Sequence, residues 1–186
     1  MLDQLIELDK TLLIFLNNLG SPSWDGLWLV VTNKRTFIPM YMVLLYFMCK
    51  SLSKKGVMLL VLTVALMILF TDQVTNLFKF TFERFRPCAQ DGVFELIRQG
   101  ECGPTYGFFS GHSSNSMATA IFVGLMLRPA YKNVIYLLIV WSIVVAYSRI
   151  YLGLHYPLDI LCGLSFGALT GYSFYRAFEA LRVRFV

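Results

Sequence analysis

Residues 148–159 read SRIYLGLHYPLD and place an arginine, a histidine and an aspartate between two long apolar runs. The chain has five long apolar runs without a charged side chain in its predicted spans, residues 36–49, 56–71, 113–127, 133–148 and 160–175. Each is shorter than the roughly 20 residues that cross a bilayer, so the helices must include flanking residues whose Lys and Arg ends reach the interface. The pattern therefore predicts five membrane-spanning helices.

The composition also indicates a membrane protein. The chain has 186 residues, of which 57% are hydrophobic and 15% charged, and its mean hydropathy is +0.63. A water-soluble domain carries more charge than this. With no repeat or linker in the sequence, residues 1–186 are predicted to form one all-α domain, a polytopic membrane helical bundle. The net charge of +5 does not indicate nucleic acid, because there is no soluble basic domain to bind it.

Residues 1–34 are predicted to form interfacial helices. The chain opens with acids, Asp3, Glu7 and Asp9, where a cleavable signal would have a basic segment. An amphipathic helix at the membrane surface would expose the apolar side chains Leu2, Leu5, Ile6, Leu12, Leu13, Phe15 and Leu16 to lipid. A sixth span is the alternative, which makes the total five to six. A second short helix, residues 24–33, would follow the turn at residues 21–23.

The distribution of charge predicts an orientation. One set of turns and the C-terminal tail carry a single acid, Glu179, against the bases Lys50, Lys54, Lys55, Arg128, Lys132, Arg176, Arg182 and Arg184. Since basic segments tend to stay in the cytoplasm, this side is predicted to be cytoplasmic. The outer side retains four bases that need another explanation, Lys79, Arg84, Arg86 and Arg149.

The outer side also has the one long loop, residues 84–111, predicted to be periplasmic. Loops of this length in a compact protein are usually functional. It contains Cys88 and Cys102, which in an oxidising compartment could close a disulfide ring. Two free thiols are the alternative. Cys49 and Cys162 lie in apolar runs and are predicted to be packing residues.

Three separate segments converge at the outer edge of the predicted bundle. They are the end of the second span, the start of the third span at residues 110–112, and residues 149–159. Both histidines of the chain, His112 and His155, lie in this set. A lone histidine beside an apolar run is usually structural, but two histidines grouped with several bases and Asp159 at a membrane edge indicate a site.

A phosphate ligand would give each basic residue of this set a role. Lys79 and Arg86 would supply positive charge, and the planar guanidinium of Arg149 can bind two oxygens. Ser110 and Gly111 open a helix whose free N–H groups attract an anion. Helix capping is the simpler role for residues near Ser110, and it is compatible with anion binding.

His155 and Asp159 stand four residues apart, and Pro157 suits the first turn of the last helix. The carboxylate can hold one ring nitrogen protonated and leave the other free to attack phosphorus. His112 could then protonate the leaving oxygen and later activate water. The alternative is that Asp159 is only a helix-start acid, with His155 as its cap.

The three segments resemble the signature motifs of the type-2 phosphatidic acid phosphatase superfamily, membrane lipid phosphatases related to vanadium haloperoxidases. The matching stretches are KFTFERFRP at residues 79–87, SGH at residues 110–112, and Ser148-Arg149-x5-His155-x3-Asp159. The resemblance covers roughly residues 72–160. Phe109 departs from the pattern, because the family usually has proline before Ser-Gly-His, and this affects loop geometry but no chemical group.

The resemblance implies that His155 is a nucleophile forming a phosphohistidine, that Asp159 orients it, and that His112 is the general acid. It also implies a phosphate site made by Lys79, Arg86, Ser110, Gly111 and Arg149, with no metal and no other cofactor. The implied reaction removes phosphate from a membrane lipid at the periplasmic face of a bacterial inner membrane. Undecaprenyl diphosphate and lipid A are favoured on family analogy, with phosphatidylglycerol phosphate and phosphatidic acid as further candidates.

Two other functions remain open at this stage. A lipid phosphotransferase would use the same residues, and a non-catalytic membrane protein could use the same pocket to hold anions or lipids. On the last helix, Gly163, Gly167 and Gly171 form a ladder of small residues. Such a ladder favours close packing within a monomer, with a homodimer as the alternative.

Overall fold

The computed structural model describes residues 2–98 and 102–185 and folds them into seven α-helices. They are α1 (Leu2–Asn18), α2 (Pro22–Thr32), α3 (Ile38–Cys49), α4 (Lys54–Phe82), α5 (Gly111–Leu127), α6 (Val134–Tyr151) and α7 (Pro157–Phe185). Short 3₁₀ turns occupy Lys34–Phe37, Pro87–Ala89 and Phe94–Leu96. Within the described ranges, extended pairing is limited to one bridge between Phe85 and Tyr106. Met1, residues 99–101 and Val186, parts of the predicted interfacial helix, loop and tail, lie outside the described residues.

The all-α prediction is confirmed, and α3 to α7 coincide with the five predicted apolar runs. The helices extend into polar ends, as α4 illustrates. It begins at Ser53, whose Oγ accepts the Gly56 N–H at 3.2 Å, and ends at Glu83 in the left-handed region with φ 47°. By length and composition, two described helices, α4 and α6, are apolar enough to cross a membrane. The total of five to six spans stays a prediction.

The two helices that pass this membrane test expose much of their surface instead of burying it. The exposed side chains on α4 and α6 include Leu62, Leu66, Leu69, Leu137, Val140 and Ile143. Water-soluble proteins rarely expose contiguous apolar surface on this scale, whereas lipid chains would cover it at no cost. The packing therefore supports a membrane protein better than a soluble core helix.

Helix α5 lies between α4, α6 and α7. The glycine ladder of α7 packs on it so closely that a Cβ at Gly167 would collide with the Ser114 backbone oxygen, and one at Gly171 with that of Ala118. The ladder thus serves packing within the chain, as the sequence favoured, while the oligomeric state stays a prediction. The apolar core around α5 includes Leu44, Leu60, Met67, Phe122, Leu138 and Phe178.

Helix α1 presents an unexpected buried face. Asp9, Leu13 and Asn17, spaced four residues apart, are its buried residues, and its exposed apolar side chains are Leu2, Leu5, Ile6, Leu8, Leu12 and Phe15. The Asn17 amide donates to the backbone oxygens of Ile150 and Tyr151 at 3.0 and 2.8 Å. The helix is therefore fixed to the end of α6 by polar contacts, and its apolar face is left for lipid.

The predicted cytoplasmic segments meet at one end of the bundle. Lys50 after α3, Pro129 and Tyr131 between α5 and α6, and Glu179 and Arg182 near the end of α7 line one cavity of about 560 Å³. The grouping agrees with the charge pattern that predicts orientation. Because α4 and α6 begin at this end of the bundle and α5 and α7 finish there, the three motif segments lie at the other end.

Candidate active site

The turn between α6 and α7 positions the central histidine. Gly153 adopts φ 66°, a conformation that favours glycine, and its backbone oxygen accepts the Cys88 N–H at 3.2 Å. In the structure Cys88 and Cys102 form a disulfide, with their Cα atoms 5.7 Å apart. The long loop is thereby attached both to itself and to the turn that precedes His155.

His155 and Asp159 form a buried pair, with exposed fractions of 2% and 0%. Nδ1 of His155 lies 3.4 Å from Oδ2 of Asp159, and the same oxygen accepts the Tyr156 N–H at 3.0 Å. Burial lowers the pKa of His155 from 6.5 to about 4, although Asp159 opposes the shift. The imidazole is therefore neutral near pH 7, and Nε2 is the nitrogen that does not face the carboxylate.

The other oxygen of the Asp159 carboxylate binds an arginine that the sequence analysis did not place in the site. Arg84 donates to Oδ1 of Asp159 at 2.7 Å and to Oδ2 of Asp9 at 2.6 Å. Its guanidinium carbon also lies 4.2 Å from the centre of the Tyr156 ring. Asp9 in turn accepts the Leu158 N–H at 2.9 Å. The N-terminal helix is thus linked to the His155–Asp159 pair through two ion pairs, Asp9–Arg84 and Arg84–Asp159.

Arg86 is brought beside the pair by the returning strand of the long loop. Its backbone N–H donates to the Thr105 oxygen at 3.0 Å. A Cβ on Gly107 would lie 3.0 Å from Cγ of Arg86 and 3.5 Å from both Nδ1 of His155 and Oδ2 of Asp159. The absence of a side chain at Gly107 therefore lets the loop pass between these three groups. Burial lowers the pKa of Arg86, with Asp159 opposing, so its cation is poorly solvated and a bound anion would stabilise it.

The start of α5 lies against the same group of residues. The Ser110 N–H donates to the backbone oxygen of Asp159 at 3.1 Å, and its Oγ accepts the Ser113 N–H at 3.4 Å as the helix cap. A Cβ on Gly111 would lie 3.8 Å from Nζ of Lys79. Ser110 therefore caps α5. The Lys79 ammonium lies next to the start of the helix, where its charge and the free N–H groups could bind the same anion.

His112 and Arg149 meet at a residue of α2. The Arg149 guanidinium donates to Oγ1 of Thr32, and the His112 side chain is hydrogen-bonded to the Thr32 backbone. Nε of Arg149 is buried and has no hydrogen-bond partner among the described residues. A buried donor of this kind is costly unless a ligand or water accepts from it, which fits an oxygen-rich anion.

An apolar cavity of about 370 Å³ opens beside this polar end. It follows α5 from His112 to Val123, a length of about 16 Å at the rise of an α-helix. Side chains from the helices α2 to α6 and from the 3₁₀ turn Lys34–Phe37 line it, among them Thr32, Lys34, Tyr41, Met67, His112 and Phe122. The cavity is thus polar at the site and apolar within the bundle, which matches a molecule with a charged head and a hydrocarbon tail.

Phe109, which replaces the family's proline, is 3% exposed. Its ring centre lies 5.1 Å from that of Phe78 on α4 and 5.2 Å from that of Phe166 on α7. The ring therefore joins two helices just ahead of Ser110. Packing contacts fix the loop here, in place of the stiffness that a proline would provide.

The structure brings together all eight residues predicted for catalysis and phosphate binding. The sequence analysis missed Asp9, Thr32 and Arg84. Arg84 had a signal, because it was an outer-side base left without a role inside the KFTFERFRP motif. In the described part of the chain, no group of three His, Cys, Asp or Glu side chains could hold a metal ion.

Comparison with known proteins agrees with this geometry. The profile of the PAP2 superfamily matches residues 56–182. A lipid A 4′-phosphatase of Bacteroides thetaiotaomicron is 34% identical over 99% of this chain and 83% of its own length. One of Porphyromonas gingivalis is 31% identical over 100% of this chain and 79% of its own length.

Two solved structures share the fold. The transmembrane PAP2-type phosphatidylglycerolphosphate phosphatase from Bacillus subtilis has a TM-score of 0.74 at 21% identity, covering 98% of this chain and 90% of that one. Aquifex aeolicus LpxE has a TM-score of 0.68 at 19% identity, covering 89% and 93%.

These matches define the class as membrane phosphatases of PAP2 type. The chain belongs to the PAP2 superfamily. The enzyme class predicted from the sequence, an integral membrane lipid phosphatase that cleaves phosphoric esters, is thereby confirmed.

Proposed function

We propose that this protein removes the 4′-phosphate of lipid A through a phosphohistidine on His155. The observation that carries the mechanism is the buried His155–Asp159 pair, with Nδ1 of the imidazole 3.4 Å from the carboxylate. That contact holds the proton on Nδ1 and leaves the Nε2 lone pair for phosphorus. The low pKa of His155, about 4, keeps that lone pair available at neutral pH.

In the first step, Nε2 of His155 attacks phosphorus while the bond from phosphorus to the lipid oxygen breaks. His112 gives its proton to that oxygen, so the lipid leaves as an alcohol. Arg86, Arg149 and Lys79 bind the phosphate oxygens, whose charge they stabilise as the bond breaks. The N-terminus of α5 at Ser110 and Gly111 contributes its free N–H groups to the same purpose.

In the second step, water attacks the phosphorus of the phosphohistidine. Neutral His112 takes the proton of the water, and the phosphorus–nitrogen bond breaks to release inorganic phosphate. The Asp159 carboxylate stabilises the positive charge on the imidazole in both steps. None of these steps needs a metal ion or another cofactor, so we expect turnover in EDTA.

Lipid A is the substrate that the relatives favour, because both carry the name lipid A 4′-phosphatase and align over nearly the whole chain. The apolar cavity next to His112 supports a lipid substrate independently. An acyl chain in that cavity would leave the phosphate at the polar end, next to His112 and Lys34. The lipid could then stay in the membrane during the reaction.

The test is phosphate release by the purified protein in detergent with EDTA. The panel contains lipid A with both phosphates, undecaprenyl diphosphate, phosphatidylglycerol phosphate and phosphatidic acid, and mass spectrometry identifies which lipid A phosphate is lost. The matched variants are His155→Gln and His112→Gln. We expect loss of the 4′-phosphate in wild type and none with His155→Gln. With His112→Gln, radiolabelled phosphate should accumulate on the protein as an acid-labile, base-stable adduct.

The possible results separate substrate from mechanism. Release of phosphate from another lipid in the panel, and not from lipid A, would contradict the proposed substrate but not the proposed mechanism. Equal release by wild type and His155→Gln would overturn the mechanism. Transfer of the phosphate to a second lipid, instead of to water, would make the protein a phosphotransferase.

We also propose that the site faces the periplasm of a bacterial inner membrane. The support is the positive charge at the opposite end of the bundle, around Lys50 and Arg182. A cysteine introduced at Asp91, in a variant in which Cys49 and Cys162 are serine, should react with a membrane-impermeant maleimide in intact spheroplasts. A cysteine at Lys132 should react only after lysis, and the reverse pattern would overturn the orientation.

A further inference from the structure

The two oxygens of the Asp159 carboxylate have separate partners. Oδ2 faces His155 and the Tyr156 N–H, at 3.4 and 3.0 Å. Oδ1 accepts from Arg84 at 2.7 Å. The carboxylate therefore cannot rotate toward or away from the imidazole without breaking its contact with Arg84.

Arg84 is itself held from the other side by α1. Its second terminal nitrogen donates to Asp9 at 2.6 Å, and the Asp9 side chain is 1% exposed. Burial lowers the pKa of Arg84, but the carboxylates of Asp159 and Asp9 outweigh the effect of burial, and the net pKa of Arg84 is raised. A cation between two buried carboxylates is a favourable arrangement only while all three groups are present.

Asp9 also fixes the start of α7. Its Oδ1 accepts the Leu158 N–H at 2.9 Å, one residue before Asp159 in the chain. Burial raises the pKa of Asp9, while Arg84 and the Leu158 N–H lower it. Both partners of this buried acid, Arg84 and the Leu158 N–H, lie next to the catalytic pair. Leu13 and Asn17 already attach α1 to the bundle, so packing of α1 does not explain the buried acid.

We propose that Asp9 and Arg84 are positioning residues of the phosphatase, which hold Asp159, and through it His155, in the geometry for attack. The inference rests on the proposed function of His155 as nucleophile. Because Asp9 belongs to α1, the proposal extends the active site to that helix. Asp9 lies outside residues 56–182, the segment matched by the superfamily profile. Neither residue contacts the phosphate in this assignment.

The first test compares Asp9→Asn and Arg84→Gln with wild type in steady-state phosphate release from lipid A. We expect kcat to fall about 10-fold for Asp9→Asn and about 10- to 100-fold for Arg84→Gln, as lost hydrogen bonds between charged groups do, with KM nearly unchanged. Arg84→Lys keeps the charge but reaches one carboxylate at a time, so its kcat should lie between Arg84→Gln and wild type.

The matched control is Asp25→Asn. Asp25 pairs with Arg98 at 2.7 Å and likewise attaches an N-terminal helix to the long loop, but its partners do not include the catalytic pair. We expect its kcat to stay within twofold of wild type. A fall in kcat as large as that of Asp9→Asn would show a general effect of loosening the N-terminal helices and would overturn the proposal.

A second readout does not depend on turnover. NMR of histidine-labelled protein measures the pH at which His155 protonates. The other charges that act on His155, those of Asp159, Arg86 and Arg149, are the same in wild type and in Arg84→Gln. Arg84→Gln removes a positive charge bound to Asp159, so the imidazolium of His155 is less disfavoured and the midpoint should rise above that of wild type. An unchanged midpoint together with a kcat within twofold of wild type would overturn the proposal. Should wild type release no phosphate from any lipid, the proposed function fails, and the midpoint alone decides whether Arg84 acts on the pair.

Discussion

Two clusters of charged and polar side chains attach the N-terminal helices to the rest of the chain. The proximal cluster, beside His155, consists of Asp9, Arg84 and Asp159. The distal cluster consists of Asp25, Arg98 and Tyr151. Both join an acid of the N-terminal segment to an arginine of the long loop and then to a residue near the turn between α6 and α7. They differ in burial, because the Asp9 side chain is 1% exposed and that of Asp25 is 42% exposed.

The difference shows that the same chemical pair can have different consequences. Water screens an exposed ion pair such as Asp25–Arg98, and its removal is expected to change little. The Asp9 carboxylate is shielded from water, while the Arg84 side chain is 24% exposed. Removing Arg84 therefore leaves a buried, uncompensated carboxylate next to His155 and Asp159. The predictions below compare the two clusters, or the regions that carry them.

The largest contrast is expected between the third members of the clusters. Asp159→Asn should lower kcat for phosphate release by about 10³- to 10⁴-fold, since an amide cannot stabilise the imidazolium and favours the wrong tautomer of His155. Tyr151→Phe removes only the hydroxyl that donates to Asp25, and its kcat should stay within twofold of wild type. The measurement is steady-state phosphate release in detergent. Similar losses in both variants would mean that the clusters do not differ in function.

The sequence predicted which residues of the three motifs lie close together, and there is a physical reason for this. Apolar runs specify helices through composition alone, and residues such as His155 and Asp159 are close because one helical turn separates them. Lys79, Ser110 and Arg149 come from different helices, but each lies where an apolar run ends, so that tracing the spans already brings them to one edge. Their detailed roles stay proposals.

The contribution of α1 could not be predicted in the same way. Asp9 is far from Arg84 in sequence, and an acid among exposed leucines is usually a solvated residue. Its burial depends on how α1 docks on α6 and α7, which no local pattern specifies. The spacing of Asp9, Leu13 and Asn17 at four-residue intervals was the available signal, and it is weak because the apolar residues of α1 suggest a different inner face.

A second contrast concerns the protonation of His155. Burial lowers the pKa of His155 from 6.5 to about 4, so its imidazole should stay neutral at pH 5.5, where an exposed histidine is mostly protonated. NMR of histidine-labelled protein measures this, and a His112→Asn variant assigns the signal. Asp25→Asn in the distal cluster should leave the midpoint unchanged. A midpoint near 6.5 in wild type would show that the site is open to water.

Removing the disulfide between Cys88 and Cys102 is expected to have the next largest effect, a loss of stability. The disulfide joins residues 14 positions apart, and the ring it closes contains Arg98 of the distal cluster but not Arg84. Cys102→Ser should destabilise the protein by roughly 3 kcal/mol in the chain-entropy model, measured as thermal unfolding in detergent. Because Cys49 is a free cysteine, Cys49→Ser is the control and should cost less. Equal stabilities of the two variants would mean that the bridge adds nothing to the folded state.

The smallest effects are expected from two glycines, one in each region, and they should differ in sign. Gly167 lies on α7, where a Cβ would collide with the Ser114 backbone oxygen of α5, so Gly167→Ala should destabilise the protein by about 1–3 kcal/mol. Gly26 follows Asp25 on α2, and a Cβ there meets nothing within 4 Å. Gly26→Ala should therefore stabilise the protein by up to about 1 kcal/mol, because alanine loses less backbone entropy in a helix.

Thermal unfolding of both glycine variants in the same detergent measures this difference. A stabilising Gly167→Ala would mean that α5 and α7 pack more loosely than the structure shows, and the start of α5 at Ser110 would then be free to move relative to Asp159. A destabilising Gly26→Ala would mean that α2 has a close neighbour at this position, such as a lipid or a second copy of the chain. Either outcome would change the comparison between the closely packed helices α5 and α7 around His155 and the N-terminal helices.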